Sequence, residues 1–188
     1  MSQNMNETIA GATNAPPVGA PQTVAEALGQ VVWLLTQSSL HRELKLKDLE
    51  WSFMPAIVNE QFRIFRFGPL SALDGVSAEQ FLAGGMSRET LETLPLGVAI
   101  WAKLSEQAER KLEDGEHLAL EDWNSGDRLW LVELVSPFAT DDNKLGEVML
   151  MDLMGGPFRD TSFHLHRTDP QTGRRDKIKL NGLGKQTA

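Results

Sequence analysis

Five segments of the chain have the hydrophobic pattern of β-strands, and their order limits the folds that it can adopt. Residues 61–67 alternate large apolar and charged side chains, and residues 96–102 and 128–137 are mainly apolar. Residues 161–167 and 177–180 flank a loop that contains Asp, Pro and Gly, which suits a hairpin. Adjacent strands with helical patterns beside them predict an α+β sheet domain.

Helices are predicted before and between these strands. The segment Thr23-Val24-Ala25-Glu26 has the spacing of an N-terminal capping box, a hydroxyl followed three residues later by a carboxylate. Apolar residues at helical spacing follow it and predict a helix over about 23–37 that ends near Ser38. Further helical patterns lie at 47–60, where Pro55 interrupts the pattern, after Ser105, and at about 141–154.

The length and composition fit one domain with its own core, since 41% of the 188 residues are hydrophobic. Residues 1–22 are rich in Ala, Asn, Gly and Pro and carry one charge, so we expect a disordered tail before a single domain at 23–188. Residues 68–94 contain Pro, several Gly and two short helical patterns, at about 77–83 and 87–93. We interpret them as an insertion in that domain.

Composition excludes several classes of function. The chain has no cysteine, which excludes disulfides, thiolate chemistry and zinc sites that need sulfur. It has neither a secretory signal nor the roughly 18 consecutive apolar residues of a membrane span, so we expect a cytoplasmic protein. The net charge of −8 disfavours nucleic acid as a partner.

Charge is unevenly distributed along the chain. Residues 167–188 hold six Lys or Arg against two Asp, whereas the rest of the chain is acidic. A basic end can steer an acidic partner into place, although a charged run is more often only a solvated face.

Two residues stand out as candidates for chemistry. His41 follows the predicted end of the first helix, although a lone histidine more often has a structural role. Glu133 interrupts an apolar strand, where alternation places it on the face of Leu131 and Val135. A carboxylate there requires a cation or imidazole nearby if it is buried. Two further histidines, at 164 and 166, share a strand face but lack a third ligand, so no metal site is expected.

Several motifs, taken together, match those of one known family. The matching segments occur in the same order and with similar spacing. They are Leu28-Gly29 with Trp33-Leu34, Ser38-Ser39-Leu40-His41-Arg42, Pro55-Ala56-Ile57 with Gln61, Trp101-Ala102-Lys103-Leu104-Ser105, Glu121-Asp122-Trp123-Asn124-Ser125-Gly126-Asp127-Arg128, Trp130, Pro137-Phe138, and Arg167 to Thr172. The combination of the Ser38–Arg42 segment with the Glu121–Arg128 segment is far more specific than either alone. Taken together, these segments resemble the RTX toxin-activating lysine acyltransferases.

The resemblance implies a fold, an activity and partners. The implied fold is similar to the GNAT acyltransferases, with a mostly antiparallel sheet flanked by helices. The implied reaction moves a fatty-acyl group from acyl carrier protein to the ε-amine of internal lysines in an RTX protoxin-like protein. It needs no cofactor beyond the acyl carrier protein as donor substrate, and it implies a homodimer.

The resemblance also implies the site residues. The family histidine corresponds to His41, and the family aspartate corresponds to Glu133, which is one methylene longer. Such a displacement of a catalytic group can lower the rate about a hundredfold. Our hypothesis is that His41 acts as general base while Glu133 orients the imidazole and stabilises its protonated form. An acyl-imidazole intermediate on His41 is an alternative route. Ser38 either supports His41 or caps the helix end.

Two alternatives remain open. An acetyl-CoA enzyme of the GNAT type would need a glycine-containing pyrophosphate loop, which the sequence lacks, and this favours a carrier-protein donor. A family member inactivated by the change to Glu133 would instead be a binding module for an RTX protein or acyl carrier protein.

Overall fold

The computed structural model describes residues 23–66, 78–169 and 172–187. The helices are α1 (Val24–Gln37), α2 (Leu49–Ser52), α3 (Met54–Val58), α4 (Ala78–Ala83), α5 (Arg88–Thr93), α6 (Glu106–Glu113) and α7 (Leu145–Gly155), with 3-10 turns at Leu46–Asp48, Leu120–Trp123 and Leu183–Thr187. The strands are β1 (Phe62–Arg66), β2 (Pro95–Leu104), β3 (Arg128–Val135), β4 (Ser162–Thr168) and β5 (Arg175–Asn181). The predicted tail at 1–22 lies outside the described residues.

The strands form one five-stranded sheet in the order β1-β2-β3-β4-β5. The pairs β1/β2, β2/β3 and β4/β5 are antiparallel, and only β3/β4 is parallel. The predicted α+β class with a mostly antiparallel sheet is therefore confirmed, and the arrangement is consistent with a GNAT-like fold. The two short helical patterns predicted within 68–94 are confirmed as α4 and α5, whereas residues 67–77 lie outside the described residues.

Each face of the sheet buries a separate apolar cluster. On one face, α1, α2 and α3 pack against β2 and β3, with Val31, Leu34 and Ile100 almost inaccessible to solvent. On the other face, α5 and α7 cover β1, β2 and the start of β3, where Met149 and Phe163 are fully buried. Both faces of the sheet are thus covered by helices. No helix in the described ranges is both long enough and apolar enough to cross a bilayer.

Helix starts follow side-chain capping. The predicted capping box opens α1: the Glu26 amide donates to Thr23 Oγ1 at 3.2 Å, and the Thr23 amide donates to Glu26 Oε2 at 2.9 Å. The prediction that α7 begins near residue 141 is wrong, because the helix begins at Leu145. Asn143 Oδ1 accepts the Leu145 amide at 3.0 Å, and Lys144 adopts a left-handed φ of 52°, which prevents an earlier helical turn.

The parallel pair β3/β4 is short. Its register contains Trp130 opposite His164 and Leu131 opposite Leu165, although β3 continues to Val135 and β4 to Thr168. Within the described residues, the two strands therefore pair over only part of their length. The pairing ends at Leu131, two residues before Glu133.

Candidate active site

His41 lies in a tight turn at the end of α1. The amides of His41 and Arg42 donate to the Ser38 carbonyl at 3.1 and 3.0 Å, which folds the chain back on the helix end. This turn brings Ser38 Oγ within 2.7 Å of His41 Nδ1. Because Ser38 is buried, its hydroxyl fixes the imidazole from the protein side.

Glu133 reaches the same place because of a β-bulge. Ile100 pairs with Glu133, but the next residue, Trp101, pairs with Leu131, so Val132 is an extra residue in β3. The bulge places Glu133 on the face of Val135 and Ile100, while Leu131 packs on the opposite face. The prediction that Glu133 shares a face with both Leu131 and Val135 is therefore half wrong. The bulge turns the carboxylate towards His41.

His41 and Glu133 face each other without a direct hydrogen bond. His41 Nε2 lies 3.8 Å from Glu133 Oε1, which is longer than a hydrogen bond but short enough for electrostatic attraction. The exposed fractions of their side chains are 15% and 42%. The imidazole is thus held on one nitrogen by Ser38 and presents its other nitrogen to a carboxylate that is open to solvent. The structure brings together all three residues that the sequence predicts for the site.

A pocket of about 310 Å³ opens beside this pair. Its apolar wall consists of Leu44, Trp51, Phe53, Ile100, Leu112, Leu118, Trp123 and Val132. Its polar lining consists of His41, Glu133, Ser52, Glu116, His117 and Arg175, and Phe53 meets the His41 ring edge-on at 6.4 Å between centroids. A cavity with an apolar wall and converging polar groups is typical of a small-molecule site.

Other pocket residues are not evident from the sequence pattern. Trp51, His117 and Arg175 line the pocket, but each belongs to a different segment of the chain and none lies in a motif with a recognisable spacing. Arg175 begins β5 and pairs with Thr168 at the end of β4. The pocket therefore extends to the part of β4 that lies beyond its pairing with β3.

The segment Glu121–Arg128 supports the pocket rather than supplying its polar groups. Asp122 accepts hydrogen bonds from Lys111 Nζ at 2.8 Å and from the Ala119 amide at 2.9 Å. Burial alone would raise the pKa of Asp122, but these two donors hold it below the usual value. Gly126 packs against the Leu104 backbone, where a Cβ would approach the carbonyl oxygen to 2.5 Å. This framework fixes Trp123, which is buried and lines the pocket.

His164 and His166 lie away from the pocket, against the Trp130 ring. His164 Nδ1 is 3.9 Å from Glu109 Oε1, in a cluster that also contains Lys177. Burial and the nearby Lys177 lower the pKa of His164. Among the residues that the structure describes, no group of three His, Asp or Glu side chains is arranged to hold a metal ion.

The fold and the site together define a class of protein. A GNAT-like α+β sheet carries a histidine, fixed by a serine, opposite a carboxylate at the edge of an apolar pocket. The sequence profile of the RTX toxin acyltransferase family matches residues 20–70 and 75–181. The chain belongs to the RTX toxin acyltransferase family.

Individual relatives agree with this assignment. The chain is 30% identical over 172 residues to a protein-lysine myristoyltransferase of Escherichia coli, covering 86% of this chain and 84% of that protein. It is 35% identical over 114 residues to a leukotoxin-activating lysine-acyltransferase of Aggregatibacter actinomycetemcomitans, covering 60% and 54%. It is 30% identical over 112 residues to an RTX-II toxin-activating lysine-acyltransferase of Actinobacillus pleuropneumoniae, covering 59% and 55%. The chain thus aligns with about half the length of the last two.

Proposed function

We propose that this chain transfers a fatty-acyl group from acyl carrier protein to the ε-amine of internal lysines in an RTX protein, with His41 as general base. The observation that carries the proposal is the placement of His41 Nε2 opposite Glu133 at the edge of an apolar pocket. Family membership supports it, since relatives are named as lysine acyltransferases and one as a myristoyltransferase.

The orientation of the imidazole refines the roles within the site. When Nδ1 carries the proton and donates to Ser38 Oγ, the lone pair of Nε2 faces Glu133 and the pocket. Ser38 then holds the ring, and Glu133 stabilises the imidazolium once Nε2 takes a proton. The gap of 3.8 Å leaves these two residues unbonded in the resting site, so the attraction strengthens as charge develops.

This arrangement suits transfer to an amine. A free lysine with a pKa of about 10.4 must lose a proton before attack, which costs about 4.6 kcal/mol at pH 7. The ammonium first releases one proton to solvent. The neutral amine nitrogen then attacks the thioester carbonyl carbon while a second proton passes from the nitrogen to His41 Nε2. The C–N bond forms, the C–S bond breaks, and the imidazolium returns the proton to the departing sulfur. The products are the lysine amide and the free carrier thiol, and the imidazole is neutral again.

The end of the β3/β4 pairing supports a carrier-bound donor. The pairing ends at Leu131 and Leu165, and strand edges beyond a paired region can hydrogen-bond an extended ligand that carries amides. The phosphopantetheine arm of an acyl carrier protein is a ligand of this kind. Arg175 at the pocket rim would meet the acidic surface of the carrier. An arm entering here would bring its thioester to Glu133 and His41, with the acyl chain in the apolar pocket.

The test is acylation with purified components. The chain is incubated with myristoyl-acyl carrier protein and a panel of RTX proteins, and lysine modification is measured by mass spectrometry. We expect amide-linked acyl groups, and His41→Ala should lower the rate by at least a hundredfold. Lysine acylation that persists in His41→Ala would contradict the role of His41.

Two results would replace parts of the proposal. Stable binding to an RTX protein or to the carrier, with no mass increase on any lysine, would support the binding-module alternative. An acyl group mapped to His41 after incubation with donor alone would replace direct transfer by an acyl-imidazole route. The homodimer and the cytoplasmic location stay predictions from the resemblance and the composition, and sedimentation of the purified chain tests the first.

A further inference from the structure

Two aromatic rings close part of the pocket by stacking on each other. Trp51 and His117 lie with their ring centroids 3.6 Å apart and their planes at 11°. Both residues line the pocket that contains His41 and Glu133. The stack joins α2 to the loop after α6, and the two segments are far apart in the sequence. The stack therefore forms one part of the pocket wall from two distant segments.

Both halves of this wall are fixed by their surroundings. Trp51 stands between Leu49 and Phe53, which are buried with exposed fractions of 7% and 3%. On the other side, the Glu116 amide donates to the Lys111 carbonyl at 2.9 Å, and the next residue after His117, Leu118, is buried. Since both backbones are held, the wall is positioned like a fixed surface rather than a loose lid.

The Trp51–His117 wall and the pair of His41 and Glu133 line the same cavity, and residues close in sequence connect them. Phe53 contacts the His41 ring, and Trp51, two residues earlier in the chain, carries the stack. Leu112 and Leu118 continue the apolar lining next to His117. A chain whose thioester carbon reacts at His41 and whose tail enters this lining would have its length limited by the wall that the tail meets.

We propose that the stack of Trp51 on His117 is the wall that limits the length of the acyl chain. The inference rests on the proposed function, because it requires an acyl chain in the pocket. It assigns Trp51 and His117 as specificity-determining residues that take no part in proton transfer. Stacked aromatic rings suit this role, because they combine a large apolar surface with a defined packing geometry.

The experiment measures binding rather than turnover. Non-hydrolysable thioether analogues of acyl-pantetheine, from octyl to octadecyl, are titrated into the purified chain by calorimetry. Each added CH₂ should tighten binding about fourfold while the tail extends along apolar lining, and the gain should stop when the tail meets the wall. The chain length at which the gain stops is the break. Trp51→Ala and His117→Ala should move the break to longer chains, and each variant should bind the first chain beyond the wild-type limit about tenfold more tightly than the wild type does.

Three further variants make the result specific. His117→Trp should move the break to shorter chains, because a larger ring occupies more of the pocket. The double variant Trp51→Ala/His117→Ala should extend the limit no further than the larger of the single effects, since one wall is lost in each case. Leu120→Ala, an exposed residue that does not line the pocket, is the control and should leave the break unchanged.

Each outcome bears on a definite claim. An unchanged break in both alanine variants would overturn the wall but leave the proposed function intact. Failure of the wild-type chain to bind any analogue would overturn the acyl pocket of the proposed function, and the wall with it. Because the His117 side chain is exposed, His117→Ala keeps the test valid even where Trp51→Ala is too unstable to purify.

Discussion

The molecule contains two histidine–glutamate pairs with nearly the same separation but different surroundings. His41 Nε2 lies 3.8 Å from Glu133 Oε1, and His164 Nδ1 lies 3.9 Å from Glu109 Oε1. Distance alone therefore does not distinguish a candidate catalytic pair from a structural one. The difference lies in the other partners of each carboxylate.

Glu109 is saturated with donors. Trp130 Nε1 donates to it at 2.8 Å, Arg128 Nε lies at 3.0 Å, and Lys177 Nζ donates at 3.0 Å. Its side chain is only 11% exposed. Burial alone would raise the pKa of Glu109, but the hydrogen bonds from Trp130 and Lys177 hold it below the usual value. This carboxylate ties α6 to β3 and β5.

Glu133 has none of this support. Its side chain is 42% exposed, and within the described ranges His41 is its one ion-pair partner. A carboxylate with few hydrogen-bond donors can interact with charge that develops on an imidazole or on a bound amine. A carboxylate that already accepts several charged or buried donors is less available for this interaction. The comparison therefore favours Glu133 over Glu109 as the carboxylate that is available for chemistry.

Removing the charge of each glutamate in turn should separate the effect on activity from the effect on stability. We expect Glu133→Gln to lower the acylation rate about a hundredfold, because the imidazolium loses its stabilising charge. Its free energy of unfolding should stay within about 0.5 kcal/mol of wild type, as for an exposed surface substitution. Glu109→Gln should do the opposite and lower the free energy of unfolding by about 2 kcal/mol, because charge-assisted hydrogen bonds are lost.

Rates are measured by mass spectrometry of the acceptor protein, and stability by urea denaturation monitored by tryptophan fluorescence. Glu133→Asp provides a matched variant that keeps the charge and restores the shorter family side chain. Equal loss of activity in Glu109→Gln and Glu133→Gln would break the comparison, because both pairs would then serve the reaction.

The sequence predicts the local part of this site well. Ser38 and His41 are three residues apart in one turn, so the family motif that contains them also brings them into contact. The α1 helix follows directly from the capping box at Thr23 and Glu26. Interactions of this range depend on a few consecutive residues, whose preferences are legible in the sequence.

The long-range part is not predictable in the same way. Alternation places Glu133 with Leu131, because nothing in the apolar run reveals the bulge at Val132. The bulge exists only in the pairing with β2, and a single strand does not encode its partner's register. Likewise the stack of Trp51 on His117 depends on how α2 and a distant loop meet. The resemblance points to Glu133, and the structure gives the reason that its carboxylate faces His41.

The serine that holds His41 provides a smaller effect. We expect Ser38→Ala to lower kcat about tenfold with KM little changed, because the imidazole loses the hydrogen bond at Nδ1 but keeps the pocket intact. Ser38→Thr, which keeps a hydroxyl, should recover part of the rate. The neighbouring Ser39 is exposed, and Ser39→Ala is the matched control with no expected effect. A tenfold rise in KM at unchanged kcat would instead assign Ser38 to substrate binding.

His164 and His166, which lie near Glu109 and Lys177, should make the free energy of unfolding depend on pH in a known direction. Burial, with Lys177 nearby, lowers the pKa of His164, and burial, with Arg175 nearby, lowers that of His166. A lowered pKa in the folded state means that the unfolded chain binds protons more readily. The contribution of both histidines to stability is therefore fully present above their ordinary pKa of 6.5, and it declines as the pH falls below that value.

Urea midpoints measured from about pH 8 to pH 5 should therefore stay level and then fall below about pH 6.5. Lys179 and Glu113 also face this cluster, and Glu109 and Glu113 oppose the decline by favouring the protonated ring. Burial raises the pKa of Asp152, which acts in the opposite sense at more acidic pH, so the range ends at about pH 5. His164→Gln/His166→Gln should remove most of the decline, because neither side chain can then take up a proton. A urea midpoint that falls equally in this variant would show that His164 and His166 do not cause the decline. The contrast between the two histidine–glutamate pairs would then rest on hydrogen bonding alone.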